Sequence, residues 1–229
     1  MKYNPITDLF NLLFPDLCVV CGNNLLRNEQ HICLSCLHNI PKTNYHLFSD
    51  NPVDKRFWGK VPICSGTAFF FFQKGSSFQK LLHSLKYKGN KEIGEVLGKY
   101  AAADLSDTPY FETVDVIIPV PLHPKKLKKR GYNQSEWIAM GLSLILEKPC
   151  DTTSLFRLRE SDTQTKKTVF QRYENTEGLF GLLDKNTLSG KHVLLVDDVL
   201  TTGSTLEACI QMLLKCEDIK VSVFTLAVA

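Results

Sequence analysis

The chain has 229 residues, 44% hydrophobic and 22% charged, which is globular material and excludes an intrinsically disordered chain. Its 27 Lys and Arg against 24 Asp and Glu leave a net charge of +3, too mild in itself to mark a nucleic-acid protein. The longest apolar runs, such as residues 68–72, fall far short of the roughly 18 residues of a membrane span. Asn4, Pro5, Asp8 and Asn11 interrupt any secretory apolar region, so a cytoplasmic location with no membrane span is the default expectation.

Residues 1–45 read as a short helix followed by a metal module. Ile6, Leu9, Phe10, Leu13 and Phe14 share one helical face that ends before Pro15. Of eight cysteines, Cys18, Cys21, Cys33 and Cys36 form two C-x2-C pairs separated by eleven residues. This spacing predicts a structural zinc ribbon, because four thiolates complete a tetrahedral shell and leave no open position for catalysis. Iron on the same four sulfurs is the alternative. Gly22 offers the permissive backbone of a metal knuckle, and His31 reads as a surface residue. Residues 46–65, punctuated by Ser49-Asp50-Asn51-Pro52 and Gly59, read as a linker whose Phe57 and Trp58 can pack on the main domain. Cys64, Cys150, Cys209 and Cys216 read as buried thiols.

Residues 66–229 read as an α/β domain. Residues 67–72 form an aromatic strand; Phe78, Leu81, Leu82 and Leu85, then Ile93, Val96, Leu97 and Tyr100, mark two helices. Lys86, Tyr87 and Lys88 at the first helix's end can reach a phosphate or simply favour the helix dipole. Residues 114–120 form a second apolar strand that runs into a proline-rich loop, a place for a ligand in an open α/β sheet. Five cations in six positions follow, Lys125 to Arg130. They suit a substrate diphosphate, with Arg130 best placed for fork-like contacts, or nucleic-acid phosphates, or a solvated face. Asn133 is expected to cap a helix whose stripe is Trp137, Met140, Leu144 and Ile145. A short strand, 155–158, precedes a polar segment, 159–168, suited to a lid. Residues 221–228 form a final strand.

The densest chemistry lies just before that strand. Val193 to Val196 read as a fully buried strand, ended by Asp197 and Asp198. Thr201, Thr202, Gly203, Ser204 and Thr205 then lead into a helix faced by Leu206, Cys209, Ile210, Leu213 and Leu214, with Ser204 and Glu207 at capping-box spacing. A loop entering a helix presents backbone N–H donors to an anion. Two carboxylates beside it can accept from sugar hydroxyls and hold a hard cation. Together they describe a site for a phosphorylated ribose.

The run VLLVDDVLTTGST resembles the phosphoribosyl-diphosphate (PRPP) signature of type I phosphoribosyltransferases. With the double C-x2-C, SFQKLLHSLKYKGN, PVPLHPKKLKKRGYNQ, and RLRESDTQT with Arg172 and Asn175 downstream, the chain resembles the ComF family over nearly its whole length. The resemblance implies a doubly wound, mainly parallel sheet of type I phosphoribosyltransferase kind with a small N-terminal zinc ribbon. It implies that Asp197 and Asp198 hold the ribose hydroxyls, directly or through Mg2+. Thr201 to Thr205 would cradle the 5′-phosphate, and Arg130 and the loop after Val120 would receive the diphosphate. It further implies a role in natural transformation, with single-stranded DNA and a helicase-like ATPase as partners. Two functions are then expected to compete. One is a Mg2+-dependent phosphoribosyl transfer to an unknown acceptor. The other is a non-catalytic accessory that uses the fold as a scaffold or as a PRPP or nucleotide sensor.

Overall fold

The computed structural model describes residues 15–106, 108–158 and 179–229. The amphipathic helix expected at 6–14, and the polar segment 159–168 with Arg172 and Asn175, lie outside the described residues.

Four parallel strands form the central sheet: β1 (Gly66–Phe71), β2 (Val116–Pro119), β5 (His192–Leu200) and β6 (Lys220–Val228), in the order β1-β6-β5-β2. Their near-continuous apolar runs suit strands covered on both faces. Leu194, Val196, Phe224 and Leu226 point to one cluster of buried side chains; Val193, Leu195, Val221 and Val223 point to the other. The first face is covered by α3 (Gln79–Tyr87), α4 (Glu92–Ser106) and α7 (Gln134–Leu146), the second by α2 (Pro52–Phe57) and α8 (Ser204–Leu213). A separate antiparallel pair, β3 (Leu155–Arg157) and β4 (Phe180–Leu182), adds Leu155, Phe180 and Leu182 to the second face. Two further short helices are α5 (Pro109–Glu112) and α6 (Pro124–Arg130). Among the described residues no helix is long and apolar enough to cross a membrane.

Both sheet edges are partly paired by flanking segments, which leaves fewer strand groups open. Beyond β2, Ile117 donates to the Pro149 carbonyl at 2.9 Å and accepts from the Asp151 N–H at 2.9 Å. Beyond β1, Phe71 donates to the Pro41 carbonyl at 2.9 Å and Thr43 to that of Phe69 at 3.1 Å. This second edge docks the cysteine module, with its helix α1 (Leu34–His38). Cys18, Val20, Ile32, Leu37 and Ile40 share one buried cluster with Phe69 and Phe70 of β1.

Residues 46–65 carry more structure than a linker. Asn51 is fully buried and caps α2, accepting from Val53 and Asp54 N–H, while Asp54 answers the Asn51 N–H to close a capping box. The Asn51 amide donates to the carbonyls of Tyr45, Phe48 and Gly66. This polar knot seats Val53 and Phe57 in the core, whereas Trp58 stays 57% exposed under Lys55. Polar Asn and Pro residues, read as punctuation, are here a helix start.

The expected stripe of α7 is also corrected. Ile138, Ala139, Gly141 and Leu142 are buried, whereas Met140, Leu144 and Ile145 are 41%, 58% and 46% exposed. Backbone proximity decides this. Gly98 of α4 and Gly141 of α7 face each other, and a Cβ on Gly141 would overlap the Glu95 carbonyl. The helices meet on their glycines, which brings Ile138 and Leu142 into the core and leaves Met140, Leu144 and Ile145 outside. Of the four other cysteines, Cys209 and Cys216 are buried as expected, but Cys150 is half-buried and Cys64 exposed.

Candidate functional site

Strand β5 does not stop at the aspartates. Asp197 stays in register with Thr225, and pairing continues through Val199 and Leu200 to Ala227 and Val228. On the other side β2 ends at Pro119, opposite Val196. Its early end leaves the acidic pair at the margin of the sheet, beside the loop that leads into α6 and α7.

The two carboxylates have different surroundings. Asp197 accepts from the Ser135 hydroxyl at 3.0 Å and from the Asp198 N–H at 2.8 Å. Burial first, and the Asp198 charge second, push its carboxyl up to about 7 against these hydrogen bonds. Asp198 instead pairs with Lys86 at 3.1 Å, the two side chains 15% and 23% exposed. Ser135 is held by the cap of α7: Asn133 is buried, accepts from the Ser135 N–H at 3.2 Å, and donates to the Val120 carbonyl at 3.0 Å. The expected Asn133 cap is therefore present, and it also positions a hydroxyl on Asp197. Ser135 escaped the sequence reading because nothing local links it to a residue 62 positions away.

Thr201, Thr202, Ser204 and Thr205 are exposed around Gly203. Gly203, at φ 83°, is itself the N-cap of α8 and no side chain caps it. The expected Ser204–Glu207 capping box is therefore not formed. Ser204 is already helical, and its N–H reaches back to the Thr202 hydroxyl at 3.4 Å. Beyond that long bond, the first turn's remaining N–H groups are left to a ligand or solvent.

The basic run is a helix. His123 caps α6 by accepting from the Lys125 N–H at 3.1 Å, and Gly131, at φ 80°, ends it. Lys126, Lys128 and Lys129 are exposed, and Arg130 is turned inward. Arg130 donates to Gln134 at 2.6 Å and lies 5.3 Å over the Tyr87 ring. The Tyr132 hydroxyl donates to the Leu85 carbonyl, tying the turn after α6 to the end of α3. Together these residues enclose a cavity of about 280 Å³ lined by Lys86, Tyr87, Gly89, Lys126, Lys129, Arg130 and Tyr132. Lys86 belongs both to this cationic cavity and to the acidic pair. Its side chain thus touches both the cavity of residues 86–89 and 126–132 and, through Asp198, the acidic end of β5.

The four cysteines sit apart from this site, in the module on the β1 edge. Their sulfurs all lie within 4.8 Å of one another. A tetrahedral shell at the usual ~2.3 Å metal–sulfur distance puts sulfurs roughly 3.8 Å apart, and Cys21 and Cys33 are 3.8 Å apart. Burial raises the Cys18 thiol, but the backbone N–H groups of Cys21, Cys33 and Val20 outweigh it and bring it down to about 6. Gly22 makes its knuckle at φ 79°, donating to the Cys18 carbonyl at 2.8 Å. His31 is not among the clustered ligands. The arrangement fits a four-cysteine metal site.

The phosphoribosyl transferase domain family matches residues 86–228, more than half of the chain. Among curated relatives, "Competence protein F" of Haemophilus influenzae is 29% identical over 92% of this chain and 83% of its own. "DNA utilization protein YhgH" of Escherichia coli K12 is 28% identical over 87% of this chain and 84% of its own. "Competence protein ComFC" of Bacillus subtilis is 27% identical over 94% of this chain and 86% of its own. Among solved structures, an allosteric regulatory enzyme of purine biosynthesis aligns with 58% of this chain and 25% of its own, at 20% identity and a TM-score of 0.40. The relatives' similarity extends well beyond the matched domain, as the ComF resemblance requires. The chain belongs to the phosphoribosyl transferase domain family.

Proposed function

We propose that the chain binds PRPP or a closely related ribose phosphate, and that it serves DNA uptake and use as its competence-named relatives' names suggest. One observation carries this reading: Lys86 lines the cationic cavity and pairs with Asp198, so the anion-binding side chains and the acidic pair are neighbours. In this reading Asp197 and Asp198 accept from the ribose hydroxyls. Thr201, Thr202, Ser204 and Thr205 donate to the 5′-phosphate, and Gly203 supplies the left-handed turn between them. Arg130, Lys126 and Lys129 receive the diphosphate. The carboxylate oxygens fit a hard cation such as Mg2+, which when bound would offset charge on the diphosphate. Transfer would form a bond from the acceptor to ribose C1 as the C1–oxygen bond breaks and diphosphate leaves with the electron pair. The carboxylates would favour the cationic ribose and the basic cavity the departing anion.

Calorimetry with PRPP, with and without Mg2+, tests the reading. Wild-type protein should bind, and Asp198→Asn should bind at least about tenfold more weakly. PRPP that leaves the wild type silent refutes it. Release of diphosphate with candidate acceptors then separates an enzyme from a sensor.

A second reading rests on α6, whose Lys126, Lys128 and Lys129 face solvent in one short helix. They suit the phosphates of single-stranded DNA, with a helicase-like ATPase as the protein partner and the cytoplasm as the location. Oligonucleotide affinity should then fall steeply with salt and drop in a Lys128→Ala, Lys129→Ala variant. No binding at low salt removes the DNA arm. The four-cysteine site is read as zinc, structural because all four positions are filled.

A further inference from the structure

Lys86 stands where a divalent cation would be expected to meet Asp198. Its ammonium lies 3.1 Å from the Asp198 carboxylate, and neither side chain is more than 23% exposed. The pair is supported from its own helix. The Leu85 carbonyl, one residue before Lys86, accepts from the Tyr132 hydroxyl. Asn90, just beyond the helix, donates to the Ser84 hydroxyl at 2.8 Å. The end of α3 is therefore tied to the turn after α6, and Lys86 is delivered to β5 from a fixed base. The same side chain lines the cavity of Lys126, Lys129 and Arg130. Two environments thus compete for one ammonium, a carboxylate on one side and an anion-binding cavity on the other.

We infer that Lys86 is a displaceable internal cation. It neutralises Asp198 while the site lacks ligand, keeps a lone divalent cation off that carboxylate, and turns to phosphate when a cation–diphosphate ligand arrives. The inference rests on the proposed ligand for its second half alone. Its physical basis is exclusion: a hard cation and an ammonium cannot both sit against one partly buried carboxylate without like-charge repulsion. The cation is then expected to enter together with the diphosphate rather than ahead of it.

The test uses the full-length protein and two probes, Mn2+ alone and inorganic diphosphate with Mg2+. Lys86→Met removes the charge and keeps most of the stem. Mn2+ affinity, read from the free-ion resonance signal, should rise up to about fivefold in Lys86→Met. Diphosphate affinity, read by calorimetry, should fall about tenfold or more. Lys86→Arg retains the charge and should leave Mn2+ binding as weak as in the wild type. The opposite signs separate this role from damage to the fold, which would weaken both ligands. Mn2+ binding that is unchanged or weaker in Lys86→Met overturns the inference. Diphosphate that fails to bind the wild type refutes the proposed ligand and the turn of Lys86 to phosphate, while a rise in Mn2+ affinity would still uphold its hold on Asp198.

Discussion

The sharpest prediction concerns the seam between α4 and α7, because that seam sets the distance from Ser135 to Asp197. Replacing Gly141 by alanine puts a Cβ into the Glu95 carbonyl and 3.0 Å from the Gly98 Cα. Both obstacles are backbone, so no side-chain rotation relieves them. The helices must part by on the order of 1 Å, a gap that forfeits about a quarter to a half of the dispersion attraction across it. The side chains that lose it include Ile138 and Leu142, both 0% exposed, and full burial of such side chains is worth about 1.5–3 kcal/mol each. With further losses on α4 the gross cost is about 2–4 kcal/mol. Alanine returns about 1 kcal/mol of helix propensity, which leaves a net loss of about 1–3 kcal/mol. Urea unfolding followed by fluorescence measures it, since Trp137 lies on α7 against Gly94 of α4. Moving α7 also shifts Ser135 from its 3.0 Å bond to Asp197, so PRPP binding should weaken even where the variant is fully folded. Stability within about 0.5 kcal/mol of the wild type, or above it, refutes the close-packed seam.

Two further outcomes follow from the carboxylates and the cysteines. Asp197, raised to about 7 by burial, holds a proton in the folded state that the unfolded chain releases near pH 4. Its contribution is full below that pH and is lost as pH rises through 7, so stability should fall by about 1.4 kcal/mol between pH 6 and pH 8. His192, buried between Thr113 and Ser222 and shifted down by burial, contributes with the opposite sign, losing stability on the acid side. Urea curves at each pH should therefore be compared with Asp197→Asn, in which the alkaline slope disappears; equal slopes would contradict the assignment. For the cysteine site, Cys36→Ser should reduce bound metal from one ion per chain to substantially less by elemental analysis. It should also lower thermal stability, because Cys18 and Cys33 share a buried cluster with β1. Full metal retention in the variant would show that Cys36 is not a ligand.

The sequence alone determined the parts whose chemistry is local. Four thiols at C-x2-C spacing form their cluster through short knuckles, and Gly22 does there what its position suggested. Long apolar runs became the four parallel strands, and the polar loop of Thr201 to Thr205 lies after β5 as read. Asn133 caps its helix because a cap depends only on neighbours. Tertiary structure decided whatever depends on an approach between distant segments. Gly98 against Gly141 turned α7 away from its expected face, since two helices meet most closely where both lack a Cβ. Two carbonyls from the turn at Tyr45 and Phe48 and one from Gly66 of β1 made Asn51 a buried anchor rather than a linker residue. Above all, the lysine at the end of α3 met the aspartate at the margin of the sheet. An ion pair across 112 positions has no period or spacing to betray it, because it exists only once the strands have paired and the helices have closed over them.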